Sequence, residues 1–322
     1  MFRKTYSVLS TILILVFTES IAQSVGLSQN ANGIDFKFDG QVVLTYQTAM
    51  SKVPEGINKN YEKSGFIHPI TSPSGAVLSR IQPEDHYHHY GIWGPWSRAT
   101  IQGREVDFWN LADGKGRVDF GEILSMKEAG GAAELNVRQN HLDLTATESE
   151  RLAIKEDLRI KVKSADKGRY SVDYTTTIQT PLEGGILLDD YRYGGGIGFR
   201  ATEDWGDANS TILTSAGHDR KTADGTNAKW IIVQGDTKTK IGKSGILFLS
   251  HNTNKVHPEP LRVWPPGQYN GKGNVFIEFC PIRHESWALA KNKNYTLKYR
   301  MIVYDGTLSA EEAEEYWKAF VK

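Results

Sequence analysis

The chain has 322 residues, with 38 basic and 38 acidic side chains, so its formal net charge at pH 7 is zero. That balance, with no block of one sign, argues against nucleic acid or an anionic membrane surface as partner. The single cysteine, Cys280, excludes an intramolecular disulfide, and a chain of this length buries enough surface to fold without one.

Arg3 and Lys4 precede an apolar run at 8–17 (VLSTILILVF), and Ser20 and Ala22 supply the small residues of a cleavage site. This pattern predicts a signal peptide over 1–22, with a run too short to span a bilayer. No second long apolar run follows, which predicts an exported, soluble mature chain over 23–322. Export without disulfides points to a bacterial periplasm or secretion. Cys280 lies in the apolar stretch 275–281 and reads as a core thiol.

Residues 34–38 and 41–46 flank Asp39-Gly40, a hairpin signal because both turn residues need positive φ. A second hairpin turns near Gly103 within 101–109. Residues 133–180 are long and two-periodic, with 150–162 and 169–180 rich in β-branched residues. Further strands are predicted at 229–234, 245–250, 274–279 and 295–304. Ser309 and Glu312 form a capping box, and Ala313, Tyr316, Trp317 and Phe320 recur at helical spacing. The sum is an all-β chain, one large antiparallel β-sandwich domain with a C-terminal helix.

The segment most suited to chemistry is 85–96, where Asp85, His86, His88, His89, Trp93 and Trp96 gather. On an extended strand His86 and His88 face one side and His89 the other. Neutral imidazoles can share a metal ion, and a neighbouring carboxylate orients them. Imidazole also titrates near neutral pH, which suits acid–base work. The alternative is a surface strand whose histidines bond to backbone. His68, before Pro69, reads equally as a site residue or a satisfied structural imidazole.

The run 191–200 is glycine-rich but has no P-loop lysine and no helix signal after it, so nucleotide binding is rejected. Its glycines let backbone approach a ligand or a neighbouring strand. Tyr193 and Arg200 are candidate substrate contacts, Arg200 for an anion or hydroxyl. The loop 251–258 begins where an apolar strand ends, and loops there often carry function. His251 and His257 are therefore the expected partners of the first cluster, with Arg262 and Trp264 just beyond. His284-Glu285 reads as structural, because adjacent strand residues point apart.

These motifs also resemble a bacterial family labelled PmoA-like. The matching residues are His68-Pro69, Pro73-Ser74-Gly75, Asp85-His86-x-His88-His89-x-Gly91-x-Trp93, 106–109 (VDFW), Gly195 to Arg200, and Ala228-x-Trp230. They continue through Gly245-Ile246, His251, Asn254, His257-Pro258, Leu297-x-Tyr299-Arg300 and Tyr304-Asp305-Gly306, spanning nearly the whole mature chain. Tyr90 stands where the family usually has Arg, and Asn252-Thr253 where it has Pro-Ser. The resemblance implies a supersandwich of the galactose-mutarotase-like type and a setting of sugar oxidation and glycan breakdown. Its label implies methane oxygenation, which a chain without transmembrane helices does not support.

The functional expectation is an enzyme acting on a glycoside or oxidised sugar by hydrolysis, elimination or epimerisation. His86, His88, His89, Asp85, His251 and His257 are the candidate catalytic residues. Trp93, Trp96, Tyr193, Arg200, Arg262 and Trp264 are the candidate sugar contacts, and His86, His88 and His257 the candidate ligands of a divalent metal, zinc first. A non-catalytic glycan-binding protein and a copper-dependent oxidase are the two alternatives. His88→Ala should abolish turnover under the enzyme reading, and glycan binding that survives loss of His86 and His88 would favour the module.

Overall fold

The computed structural model describes Met1, Phe2 and residues 24–322. The apolar run and cleavage point of the expected signal segment lie outside the described residues. No described helix is long and apolar enough to cross a membrane.

The structure is built of antiparallel strands, as the two-residue periodicity predicts. A nine-stranded sheet runs, in spatial order, Val25–Gln29, Gly33–Phe38, Gln41–Gln47, Phe66–Ile70, Ile92–Trp93, Ile197–Arg200, Phe276–Phe279, Glu259–Val263 and Asn227–Ala228. An eight-stranded sheet runs Ser210–Thr214, Trp230–Asp236, Lys243–Ser250, Tyr295–Asp305, Tyr170–Gln179, Leu152–Ser164, Ala132–Asp143 and Gly116–Ala129. A smaller four-stranded sheet contains Ala99–Ile101 and Arg104–Val106. Asp39-Gly40 and Gln102-Gly103 make the expected hairpin turns, with all four residues at positive φ. The long hairpin Gly116–Ala129/Ala132–Asp143 turns at Gly130-Gly131; half of it escaped the sequence reading, because the outer strand alternates only weakly between buried and exposed positions.

The two large sheets face each other across the core. Ile67, Ile92, Ile197, Phe199, Ile277 and Phe279 from the first sheet join Leu135, Val137, Ile160, Val172, Phe248 and Met301 from the second in one buried cluster. Their alternation partners on the nine-stranded sheet, Phe66, Trp93 and Phe276, belong to a separate aromatic cluster. By the pleat rule this second cluster covers the outer face of that sheet. On the outer face of the other sheet, Trp230, Ile232, Leu247, Leu249 and Ile302 receive the helix Ala310–Val321. Ser309 and Glu312 close the capping box as expected. Cys280 is buried and unpaired, and burial pushes its thiol up.

The glycine run 194–196 approaches packing partners, not a ligand. A Cβ on Gly195 would lie 2.0 Å from the Trp96 ring, and one on Gly196 would lie 2.1 Å from the Phe279 carbonyl oxygen. Trp96 is fully buried in the inter-sheet core. Gly195 also has φ 78°, which a side chain disfavours. Gly195→Ala is therefore expected to cost about 3 kcal/mol or more. Urea unfolding checks this: the midpoint should fall with an unchanged slope.

Candidate active site

Residues 82–89 are not extended. Two successive turns, closed by His86 N–H to the Pro83 carbonyl (2.8 Å) and His89 N–H to the His86 carbonyl (3.0 Å), fold the segment back on itself. Gln82 N–H to the His89 carbonyl (2.8 Å) and the Ile81–Tyr90 bridge tie its ends together. Pro83, Glu84 and Asp85 favour turns, and they override the alternation that would have split the histidines between two faces. All three imidazoles converge, each offering a ring nitrogen within 4.8 Å of the others.

The loop is fixed to the sheet through Arg200, the last residue of the strand Ile197–Arg200. Arg200 Nη2 donates to both Asp85 oxygens, at 2.9 and 2.8 Å, and its guanidinium lies 4.7 Å from the centre of the Trp264 ring. Arg200 is 1% exposed. Burial pushes Arg200 down to about 10 although Asp85 opposes this. Burial also raises Asp85, but the His86 hydrogen bond and Arg200 outweigh it and hold that carboxyl well below the usual carboxylate range. Asn274 adds a 3.4 Å contact to Asp85.

Each imidazole has a distinct setting. His86 Nδ1 faces Asp85 at 3.3 Å, and its Nε2 hydrogen-bonds with the Tyr269 hydroxyl. His88 packs edge-on against Trp109 at 5.3 Å. Burial pushes His88 down to about 3, helped by His86 and Arg200. His89 is fully buried among Trp93, Trp109, Trp264 and Phe276, at ring distances of 4.8–5.7 Å. Burial holds it well below the normal imidazole value. Its Nδ1 lies 3.5 Å from Arg200 Nη1, and its Nε2 is buried without a hydrogen-bond partner.

Burial thus favours the neutral form of His88 and His89, the form that ligates metals. Tetrahedral zinc with bonds of about 2.0–2.1 Å needs nitrogens roughly 3.4 Å apart. The observed spread, up to 4.8 Å, is wider than that. An ion bound through His89 Nε2 would give that orphaned atom a partner, place the ring proton on Nδ1 and release the long contact with Arg200.

The other expected site residues divide sharply. Trp264 joins the triad, 4.9 Å from His86. Tyr193 packs on Trp109 at 4.7 Å, and Arg262 holds its hydroxyl at 3.0 Å while pairing with Asp224 at 2.9 Å. Arg200 serves an internal carboxylate, not a free anion. Trp93 and Trp96, at 2% and 0% exposure, have no free face for a sugar. His251 sits edge-on to Phe320 and His257 stacks on Trp317 at 5.6 Å, both against the terminal helix. That helix covers the outer face of the eight-stranded sheet, whereas the triad lies on the outer face of the nine-stranded one. His89, and not His257, therefore lies with His86 and His88.

Tyr269, Asn274, Trp109 and Phe276 are the site neighbours the candidate list lacked. Trp109 belonged to the VDFW motif; Tyr269, in a loop after Pro265-Pro266-Gly267, carries no local signal. Beside the triad a depression of about 270 Å³ is lined by Arg80, Glu84, Asp85, Tyr269, Lys272 and Asn274. Hollows of about 610 and 650 Å³ share Arg80 and Lys272 with it. His68 lines the first of these, bonded to Ser79 at 2.9 Å, and burial pushes it down to about 4.

The fold and site define an antiparallel β-sandwich carrying a histidine cluster on the outer face of one sheet. The chain belongs to DUF6807, a family of unknown function whose model matches residues 33–318. No curated protein matches the sequence. Among solved structures it is similar to the heparan sulfate lyase HepC from Pedobacter heparinus, with 8% identity and a TM-score of 0.37. That match covers 89% of this chain, which spans 36% of the lyase. It is also similar to a GalM/aldose epimerase homologue from C. elegans (9% identity, TM-score 0.35, 89% of this chain and 100% of the other). A putative kojibiose phosphorylase from human microbiome gives 12% identity and a TM-score of 0.34 over 89% of this chain and 29% of the other. Likenesses this loose say nothing about substrate or reaction.

Two outcomes are expected. Asp85→Ala leaves a buried guanidinium unpaired and should destabilise the protein by about 3–5 kcal/mol, measured by denaturant unfolding. Between pH of about 6.5 and 4, the unfolded chain takes up protons that His68 and His88 refuse in the folded state. Stability should therefore fall as pH drops through that window, and His68→Gln should flatten part of the fall in Tm against pH.

Proposed function

We propose that this protein is a carbohydrate-processing enzyme of an exported compartment whose chemical centre is a divalent metal held by His86, His88 and His89. The observation that carries the reading is the convergence of His86, His88 and His89, each offering a ring nitrogen within 4.8 Å of the others, in a cluster where His89 Nε2 is buried without a hydrogen-bond partner. The Asp85 carboxylate behind His86 is the usual means of orienting a metal-binding imidazole. Zinc suits neutral imidazoles and, when bound, lowers the pKa of its water and polarises a substrate oxygen. In the hollow beside Asp85, Arg80, Glu84, Lys272 and Asn274 offer donors and acceptors of both kinds, the mixture that hydroxyl-rich ligands require. Tyr61, Tyr87 and Tyr269, partly exposed, offer ring faces that the buried tryptophans do not. Hydrolysis, elimination and epimerisation remain the reactions such a centre serves. Export rests on the N-terminal signal pattern, and the sugar setting on the PmoA-like resemblance.

A metal-free acid–base site is the second reading, favoured by one contact. Donation from Arg200 to His89 Nδ1 leaves the proton on Nε2, as a buried donor facing the other imidazoles. Such a donor can stabilise an oxyanion while neutral His88 takes a proton.

Metal analysis of untagged protein separates these readings. About one equivalent of zinc, lost in His88→Ala and His89→Ala, is expected. On any glycoside turned over, His88→Ala should lower kcat/KM by about 100-fold or more. Full activity after chelation favours the acid–base site, and stoichiometric copper favours the oxidase. Glycan binding without product, unaffected by loss of His86 and His88, would sink the enzyme reading.

A further inference from the structure

We infer that Arg80 and Lys272 form an anion subsite beside the histidine cluster, so that the sugar this protein handles carries a carboxylate or a sulfate ester. The inference rests on the carbohydrate reading above and names the substrate class of that same site.

The backbone fixes where Arg80 stands. Its N–H donates to the Arg200 carbonyl (3.1 Å), and its carbonyl accepts from Gly91 N–H (2.9 Å). Bridges from Ser79 to Ala201 and from Ile81 to Tyr90 flank it on either side. Arg80 is thus tied both to the end of the strand Ile197–Arg200 and to the residues that follow the histidine loop.

Its guanidinium lacks what such a group needs. The side chain is 23% exposed, yet among the described residues it makes no hydrogen bond. The nearest carboxylate, Glu203, stands 3.9 Å away and is itself 75% exposed, a pairing worth little. Arg200 is close enough to repel Arg80 and already holds both Asp85 oxygens. A largely desolvated guanidinium is costly to leave without an acceptor. Its planar fork fits the paired oxygens of a carboxylate or a sulfate. The anion contact that the sequence suggests for Arg200 therefore falls to Arg80.

Charge around the hollows points the same way. Arg80 and Lys272 line all three of them. Lys272 is exposed, and its ammonium has no ion-pair or hydrogen-bond partner among the described residues. Most of the carboxylates there are taken: Asp85 by Arg200, Asp204 by Lys238 at 3.1 Å and Asp207 by Arg220 at 2.8 Å. Glu84 and Glu203 are exposed, placed to accept from sugar hydroxyls. Counting Arg200 behind Asp85, cations outnumber carboxylates around the smallest hollow, and a divalent ion on the histidines adds to the excess. An anionic group held at Arg80 leaves the sugar ring in the hollow that Asp85 and Tyr269 line, beside His86.

The test is a glycan array probed with labelled, untagged full-length protein over a range of concentrations. The array holds neutral oligosaccharides and the same backbones bearing uronate carboxylates or sulfate esters. Wild type should bind acidic members and not their neutral counterparts, and bind less as salt rises. Arg80→Gln should keep the wild-type Tm and weaken that binding about tenfold or more. Arg80→Lys, a charge without the fork, should recover part of it. Lys272→Gln, an exposed change, should weaken it several-fold and tests the subsite even if Arg80→Gln unfolds. Binding of uronates alone assigns the carboxylate, and binding of sulfated members alone assigns the sulfate ester. Neutral glycans bound as well as acidic ones would overturn the inference, as would acidic binding that neither Arg80→Gln nor Lys272→Gln weakens. In both cases the carbohydrate reading still stands. Failure to bind any glycan overturns that reading and this inference together.

Discussion

The contact between Arg200 and Asp85 holds the site together. A guanidinium at 1% exposure cannot remain without a counter-charge, and Asp85 is the carboxylate that supplies it. The pair joins the end of a central strand to the loop that carries the three histidines. Through Asp85 the pair orients His86, and Arg200 Nη1 reaches His89 from the other side. A lysine could not serve both partners while lying flat on Trp264, since an ammonium has neither the fork nor the plane.

The aromatic wall does a different job from the one its composition suggests. Tryptophans 93, 109 and 264 are buried, so they do not offer stacking faces to a sugar. They remove water from His88 and His89, and desolvation keeps both imidazoles neutral. The result is a cluster of imidazoles beside a compensated ion pair, next to a polar hollow that Asp85 and Tyr269 help to line.

The sandwich separates two groups of histidines that the sequence places within one family-like pattern. Those at 86–89 lie on the outer face of one sheet, while His251 and His257 support the terminal helix on the other. Stacking of His257 on Trp317 and the edge contact of His251 with Phe320 give both rings a packing role. Another histidine, His141, is fully buried and bonded to Glu156 at 2.7 Å between the sheets, where Thr176 also serves that carboxylate. Motif membership thus did not distinguish the histidines of the cluster from those that support the helix.

The sequence by itself determined the antiparallel sandwich, its Asp39-Gly40 and Gln102-Gly103 turns and the capped terminal helix, because those depend on local φ preferences and short periodicities. It also marked His86, His88 and His89, because their density is visible without a fold. The tertiary structure decided that these three converge, since turns at 83–89 replaced the strand that would have divided them. It alone brought Arg200, Trp264, Asn274 and Tyr269 to the loop, from 111 to 189 residues away for those with a hydrogen bond to it. Contacts across such separations are set by sheet order and loop packing, and no local pattern encodes them.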